Sequence, residues 1–320
     1  MGEWPAIDSR DYIVAFELRS IDDCPADFEL PSSVAGFDAG LFLPRGDRDW
    51  FGRPSYPPRI LLLKGGAFYI VSHPGTGEAP RRGAMDQIAA VESGHMLLKG
   101  WLRFTGSGFD HTIRYNTRGF RSVFQFMRRF RDELLRGALP LGPLPLPFGD
   151  GLDMKFANAL ALELDVGETV LMRAFQPSAE LISRRWLIPY HHWIAGDLLA
   201  LTSRRLLWIT DRESGSYSRY GSIASYAPFD AVQGIGLLSG RGGQALQVDL
   251  SSGSAWRIPI GSERRWDWEH AVDDFAAAIK TQKVRKLVDR QSVIEENRPL
   301  EGQELSLSDD RTIARPCPTQ

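Results

Sequence analysis

A proline-rich segment near the middle of the chain constrains the fold more than any other feature. Four prolines lie within Leu139–Gly149, alternating with leucine and glycine. Proline has no backbone N–H and a fixed φ, so this stretch is unsuited to a helix or a sheet interior and favours an extended, semi-rigid connector. Because 320 residues correspond to about two domains, we predict two units, residues 1–138 and 152–282, joined by a linker over residues 139–151.

The second unit is predicted to be a series of strands followed by one helix. Leu198–Thr202 and Leu206–Thr210 are apolar runs separated by Ser203–Arg205, which is typical of a hairpin. An apolar stripe with the spacing of an amphipathic helix then runs from Trp268 to Ile279. The other strands that we predict here are Glu168–Phe175, Ser222–Ala227, Val232–Leu238, Ala245–Leu250 and Ala255–Ile260.

The first unit shows the same order of elements. Its predicted strands are Tyr12–Leu18, Ile60–Leu63, Ala67–Val71, Gln87–Val91, Met96–Phe104 and Thr112–Tyr115, and its predicted helix is Phe120–Leu134. This recurrence indicates an internal repeat, and the fold class that it predicts is mainly β with α. A further short helix over Leu152–Glu163 is expected to pack on the second unit or to join the two.

One hairpin resembles a known family. Gly196–Thr210 runs through a leucine-rich strand ending in threonine, a polar turn with arginine, and a Leu-Leu-Trp-Ile-Thr strand. This is similar to the strand–turn–strand signature of bacterial pleckstrin-homology-like (PH-like) domains, with which Gly167-Glu168 and the closing helix agree. The resemblance covers residues 165–282 well and residues 10–137 only in the order of elements. It implies two PH-like split β-barrels, each closed by a C-terminal amphipathic helix, and brings no catalytic residues with it.

Each unit carries a long insertion between its first and second predicted strands, over residues 31–59 and 176–196. The first is rich in proline and glycine, so we expect it to be irregular. Both contain large aromatic residues, which favours packing against a sheet face or between the units. The alternative is that the insertions form a recognition surface.

Arginine supplies 32 of the 38 basic residues, and five Arg-Arg doublets recur along the chain. In PH domains that bind phosphoinositides, the ligand lies on basic residues near the first hairpin loop, so the resemblance implies a candidate anion or partner surface there. Its members are Arg45, Arg48, Arg53, Arg184, Arg185, Trp50 and Trp186. Anionic membranes attract clusters of about 4–8 basic residues. A doublet falls short of that, which favours an ordinary solvated surface.

We find no sequence motif for catalysis, and we predict no cofactor, no metal site and no enzymatic activity. His191 and His192 are adjacent in the second insertion. In a regular strand neighbouring side chains point to opposite faces, so these two could not chelate one ion from a strand. Gly234–Gly240 resembles a dinucleotide loop only faintly, since it lies between predicted antiparallel strands. The net charge of −2 argues against nucleic acid as a partner.

The sequence predicts a cytoplasmic protein. Two cysteines, Cys24 and Cys317, do not make a disulfide framework, and the N-terminus has neither a signal peptide nor any spanning segment after it. From about residue 283 the apolar content falls, so residues 283–320 are expected to form a mobile polar tail.

The first functional hypothesis is a non-enzymatic protein-interaction or scaffold module. Its unidentified protein partner would bind by strand-edge addition or in a groove beside a C-terminal helix. The second is a peripheral protein at the inner face of the membrane that binds anionic lipid, and the third is an enzyme with dispersed catalytic groups. A homo-oligomer is an open alternative.

Overall fold

The structure is a computed structural model, and the residues that it describes are 13–47, 55–96, 99–136, 152–185, 188–213, 216–217, 221–240, 243–260, 268, 271–281 and 283. The predicted linker, residues 139–151, and the predicted tail beyond residue 283 lie outside the described residues.

The first half contains eight strands and one helix among its described residues. An antiparallel sheet of five strands in sequential order consists of β1 (Phe16–Leu18), β2 (Ala39–Leu43), β3 (Arg59–Lys64), β4 (Ala67–Ser72) and β5 (Arg81–Ala84). The strands β6 (Ile88–Met96), β7 (Lys99–Gly106) and β8 (Phe109–Asn116) follow, and then the helix α1 (Phe120–Leu134).

The second half begins with the helix α2 (Met154–Glu163). The strands that follow are β9 (Val170–Gln176), β10 (Ala179–Arg185), β11 (Ile188–Ile194), β12 (Asp197–Thr202), β13 (Arg205–Thr210), β14 (Arg212–Glu213), β15 (Ser216–Tyr217), β16 (Gly221–Pro228), β17 (Val232–Gly240), β18 (Gly243–Leu250) and β19 (Ala255–Ile260). Residues 271–281 form the last described helix, α3.

One sheet runs through both halves. Its seven strands have the order β8-β7-β6-β16-β13-β12-β9, so β6 of the first half pairs with β16 of the second. The pairing is antiparallel and continuous from Tyr226 opposite Val91 to Gly221 opposite Met96. We call this β6–β16 pairing the seam.

Among the described strands no sheet closes on itself, and this corrects the expectation of two barrels. The edge of β6 that a barrel would use for closure pairs with β16 of the other half. What the structure does confirm is a mainly β chain with α-helices.

The strand registers show the internal repeat directly. Each residue of β3 and β4 has a counterpart 138 positions later in β12 and β13, with Arg59 opposite Ser72 in the first hairpin and Asp197 opposite Thr210 in the second. For the next strands, β6 and β7, the counterparts are β17 and β18, which lie 144 positions later. The pairing of β6 with β7 has an irregularity between Ile88 and Ala90, and that of β17 with β18 has one at the equivalent point, between Val232 and Gly234.

These registers correct the assignment of the first strand. Of the predicted Tyr12–Leu18, only Phe16–Leu18 is a strand, and by pairing the counterpart of β9 is β2. The first insertion, expected to be irregular, contains β2, and the second contains the hairpin β10–β11. β2 was missed because a short apolar run inside a glycine- and proline-rich segment gives a weak strand pattern. β10 and β11 were missed because polar and charged residues interrupt their apolar pattern.

Three apolar clusters form the described core. The largest includes Leu61 and Phe68 of the first sheet, Phe130 of α1, Leu160 of α2 and Ile209 of the second half, so it spans both halves. A second lies between the other face of β12–β13, the strands β17–β19 and α3.

The third cluster covers the outer face of the first sheet. Val34 and Phe37, from the predicted insertion, pack there beside Phe42 and Leu62. For this part of the insertion, the packing interpretation is confirmed.

None of the helices in the described part of the chain combines the length and the apolar composition that crossing a membrane requires.

Gly94 tests the packing of β6 against β7, next to the seam. It lies opposite Ile223, and a Cβ at this position would stand 2.1 Å from Cζ2 of Trp101, whose Nε1 donates to Glu92. Gly94→Ala should therefore lower the free energy of unfolding by about 1–3 kcal/mol, the usual cost of overpacking, as measured by urea denaturation. The matched control is Gly236→Ala on β17, where nothing lies within 4 Å of the added Cβ and a change below about 0.5 kcal/mol is expected. Equal losses in both variants would contradict this packing.

Candidate interaction site

The structure describes only part of the predicted surface. Arg45 is half-buried after β2, whereas Arg48, Trp50, Arg53 and Trp186 lie outside the described residues. Arg184 and Arg185 end β10, opposite Pro189 and Ile188, and nothing is described of their side chains. The structure therefore does not bring these seven residues together as one site.

The described doublets show where arginine is used instead. Arg204 lies 3.2 Å from Asp132 and 3.8 Å from Asp165, and Arg128 lies 3.9 Å from Asp165. Arg129 lies 3.9 Å from Glu17. These three arginines face carboxylates of the same chain, whereas Arg81 and Arg82, the doublet of β5, are exposed.

Two further arginines are fully buried where the halves meet. Arg131 of α1 is 1% exposed and lies 3.2 Å from Oε2 of Glu163 and 3.1 Å from Oδ1 of Asp165. Glu163 ends α2, and Asp165 follows it before β9. The guanidinium of Arg131 thus ties the helix that closes the first half to the segment that begins the second.

The second buried arginine, Arg205, forms a bidentate pair. Its Nε and Nη2 each donate to Glu168 over 2.9 Å, and Nη2 also donates to the carbonyl of Glu163. Thr202 and the backbone N–H of Asp165 donate to the same carboxylate, over 2.6 and 3.0 Å. Burial alone would raise the pKa of Glu168, but Arg205 and these donors bring it below its ordinary value.

Tyr226 of β16 joins the two arginines. Its ring centroid lies 4.8 Å from the guanidinium carbon of Arg205 and 5.8 Å from that of Arg131. Such cation–π contacts stabilise desolvated guanidinium groups. Because burial raises the pKa of Tyr226 well above its usual value, the ring stays neutral between the two cations. We call Arg131, Glu163, Asp165, Glu168, Arg205 and Tyr226 the junction network.

Sequence reasoning noted Arg205 only as half of a doublet and missed Arg131. One signal was available: Arg131 lies four residues after Met127 and eight after Val123, which places a charge on the apolar face of the helix. A charge there indicates a buried partner. The partner itself could not be read from the sequence, because it lies more than thirty residues away at the start of the next repeat.

A cleft of about 600 Å³ opens beside the end of α1, between the halves. Its apolar lining includes Met85 and Ile88 of the first half, Leu134 of α1, and Ala231 of the second half. Its charged lining residues, as far as the chain is described, are Asp86, Glu133, Asp230 and Arg136. Arg136 is paired with Glu133. We call this feature the acidic cleft.

The acidic cleft is a product of the repeat. Asp86 and Asp230 are the middle residues of two equivalent 3-10 turns, Met85–Gln87 and Phe229–Ala231, which lie 144 positions apart and lead into β6 and β17. Both carboxylates are exposed. The signal for this pair in the sequence is a recurring pattern of an apolar residue, aspartate, one variable residue and then isoleucine or valine.

In the described part of the chain, no three His, Cys, Asp or Glu side chains are placed to hold a metal ion. His191 and His192 are consecutive positions of the strand β11. The cleft offers carboxylates beside apolar side chains. This combination suits a partner with a basic group and an apolar side chain.

These features define a class: a mainly β protein with two repeats that share one sheet and enclose an acidic cleft. No protein-family model, curated protein or solved structure matches the chain.

Removing one member of the buried pair should be costly. Arg205→Met leaves the Glu168 carboxylate desolvated without its cation, so the free energy of unfolding should fall by about 3–5 kcal/mol. The same change at Arg103, whose bidentate pair with Asp110 is solvent-exposed, should cost less than about 1 kcal/mol. Chemical denaturation measures both.

The double variant Arg205→Met/Glu168→Gln separates the pair from the rest of the network. It should be less destabilised than the sum of its single variants, because no unpaired charge remains. Additive losses would show that the two groups are not coupled.

His111 of β8 predicts a pH dependence of stability. Burial, and then the charges of Arg59 and Arg81, lower its pKa to about 4, against roughly 6.5 in an unfolded chain. Between these values the unfolded chain binds the proton and the folded chain does not, so stability should fall as the pH drops from about 6.5 to 4. His111→Gln should flatten this slope in thermal melts, whereas Arg114→Gln, an exposed change on the same strand, should leave it unchanged. An unchanged slope in His111→Gln would refute the assignment.

Proposed function

We propose that this chain is a non-enzymatic cytoplasmic scaffold built from two PH-like domains, and that it binds a protein partner in the acidic cleft. The support for the domain type is the order of elements. Each half has a main antiparallel sheet, then a three-stranded antiparallel meander, and then a helix that packs on the core.

The observation that carries the binding proposal is the composition of the cleft. Its lining contains Met85, Ile88 and Ala231, which are largely buried, beside Asp86 and Asp230, which are exposed. Apolar and charged residues occur together in protein-recognition grooves, in which an apolar side chain supplies affinity and charges supply specificity. The partner segment that fits carries lysine or arginine next to a large apolar residue.

The junction network supports this assignment because it fixes the walls of the cleft. Glu133 and Leu134 follow Arg131 on α1, and Arg131 is tied to Glu163 and Asp165. The groove therefore belongs to a preformed surface, which reduces the ordering cost of binding.

The alternative, binding to anionic membranes, is less well supported, because the exposed doublet Arg81-Arg82 falls short of the cluster of about 4–8 basic residues that such a surface needs. Arg128, Arg129 and Arg204 face carboxylates, and Arg59 lies 3.4 Å from Glu78. The described cluster at the cleft is acidic, which repels an anionic headgroup.

Binding of a defined peptide tests the proposal. A fluorescent peptide of alternating arginine and leucine should bind the full chain, and a peptide with glutamate in place of arginine should not. Asp86→Lys/Asp230→Lys should weaken binding at least about tenfold, since like charges across an interface are strongly unfavourable. The matched control, Asp273→Lys/Asp274→Lys on the exposed face of α3, should bind like the wild type.

Two results would contradict the proposal. One is an equal loss of peptide binding in the cleft variant and the α3 variant, which would show that the net charge of the protein, and not the cleft, determines binding. The other is failure to bind the peptide together with sedimentation on anionic vesicles at low salt, which would favour the membrane function.

A further inference from the structure

The strand β17 has an open edge where its counterpart in the first half has a partner. β17 repeats β6 at 144 positions, and the edge of β6 pairs with β16 over Val91–Met96. The equivalent stretch of β17 is Ile235–Gly240. Among the described strands β17 pairs with β18 alone.

The composition of β17 sets it apart from the other edges of the three larger sheets. Charged residues or prolines, which protect sheet edges from pairing, occur in each of the other edge strands: Glu17 in β1, Arg81 and Arg82 in β5, Asp110 and Arg114 in β8, Arg173 in β9, and Arg257 and Pro259 in β19. β17 has nine residues and contains neither a charge nor a proline. A long, unprotected edge of this kind favours the addition of another strand.

The side chains of β17 leave room for a neighbour. Ile235 and Leu237 pack partly against the second core. Leu238 is 43% exposed, and a Cβ on Gly236 would meet nothing within 4 Å. Lys283, which follows α3, donates to the carbonyl of Val232. Val232 lies before Ile235–Gly240, so this hydrogen bond leaves that stretch of the edge open.

The repeat also indicates which partner fits. In the seam β6 pairs with β16, and the repeat makes β17 the counterpart of β6 and β5 the counterpart of β16. A head-to-tail chain of copies would therefore pair β17 of one copy with β5 of the next. β5 is only four residues long, follows Pro80 and carries Arg81 and Arg82, so its edge is protected. An uncharged strand can instead pair antiparallel with itself about a two-fold axis, where no like charges meet, and this gives a closed dimer.

We propose that this chain forms a homodimer in which β17 pairs antiparallel with β17 of a second copy. The two three-stranded sheets become one sheet of six strands. Gly236 lies opposite Gly240 of the second copy, and Leu238 lies at the two-fold axis, opposite Leu238 of the second copy. The dimer does not depend on the acidic cleft, because none of the described residues that line the cleft belongs to Ile235–Gly240.

Sedimentation of the full chain over a range of concentrations tests this inference. We expect the wild type to have twice the mass of one chain. Leu238→Lys adds a charge at the two-fold axis and should raise the dimer dissociation constant at least about tenfold. The matched control is Ile21→Lys, an equally exposed apolar residue of the first half, and it should remain dimeric. Circular dichroism confirms that both variants are folded.

Cysteine cross-linking tests the register independently. In a chain with Cys24→Ser and Cys317→Ser, Leu238→Cys should form a disulfide-linked dimer, whereas Gln233→Cys, at the other end of the strand, should not. A monomeric wild type at all concentrations would overturn the proposal. So would a dimer that persists in Leu238→Lys, or one that cross-links through residue 233 and not through residue 238.

Discussion

The pairing of β6 with β16 determines how the rest of the structure is arranged. A three-stranded meander normally ends in a free edge, and in the first half that edge is filled by the second half. This places one face of β12, β13 and β16 against α1 and α2. Residues as distant in sequence as Phe68 and Ile209 therefore belong to one apolar cluster. The halves are therefore parts of a single packed body, and the cleft between them has fixed walls.

The junction network adds specificity to this seam. Two guanidinium groups and three carboxylates are buried together, and their desolvation largely offsets their mutual attraction. Such a network contributes little net stability, but it penalises any arrangement that leaves one member unpaired. Arginine suits this role better than lysine, because its planar fork binds Glu168 through two parallel hydrogen bonds while its face contacts the ring of Tyr226. The abundance of arginine thus acquires a structural explanation at Arg131, Arg204 and Arg205.

Much of the fold could be predicted from local patterns. The hairpin β12–β13, the meander β17–β19 and the helix α1 lie where apolar periodicity placed them, because each buries one face. β2 and β5 were missed, since five apolar residues between loops and an Arg-Arg-Gly-Ala strand carry no clear period. The seam could not be predicted, because nothing local specifies that strands about 130 residues apart pair. The partners of Arg131 could not be predicted for the same reason, although its place on the apolar face of α1 indicated that it is buried. Most of the predicted basic surface lies outside the described residues, whereas the cleft was signalled by the recurring aspartates and was overlooked.

The seam requires the two halves to behave as one cooperative unit, and native-state hydrogen exchange measures this directly. The amides of β6 and β16 that bond across the seam should exchange only through global unfolding, with the same free energy as amides at the centres of β3 and β12. Because the seam is continuous with both halves, increasing denaturant should lower all of these values together. If the amides of β6 and β16 exchange at a markedly lower free energy while β3 and β12 remain protected, the halves separate as independent units, and the central claim is wrong.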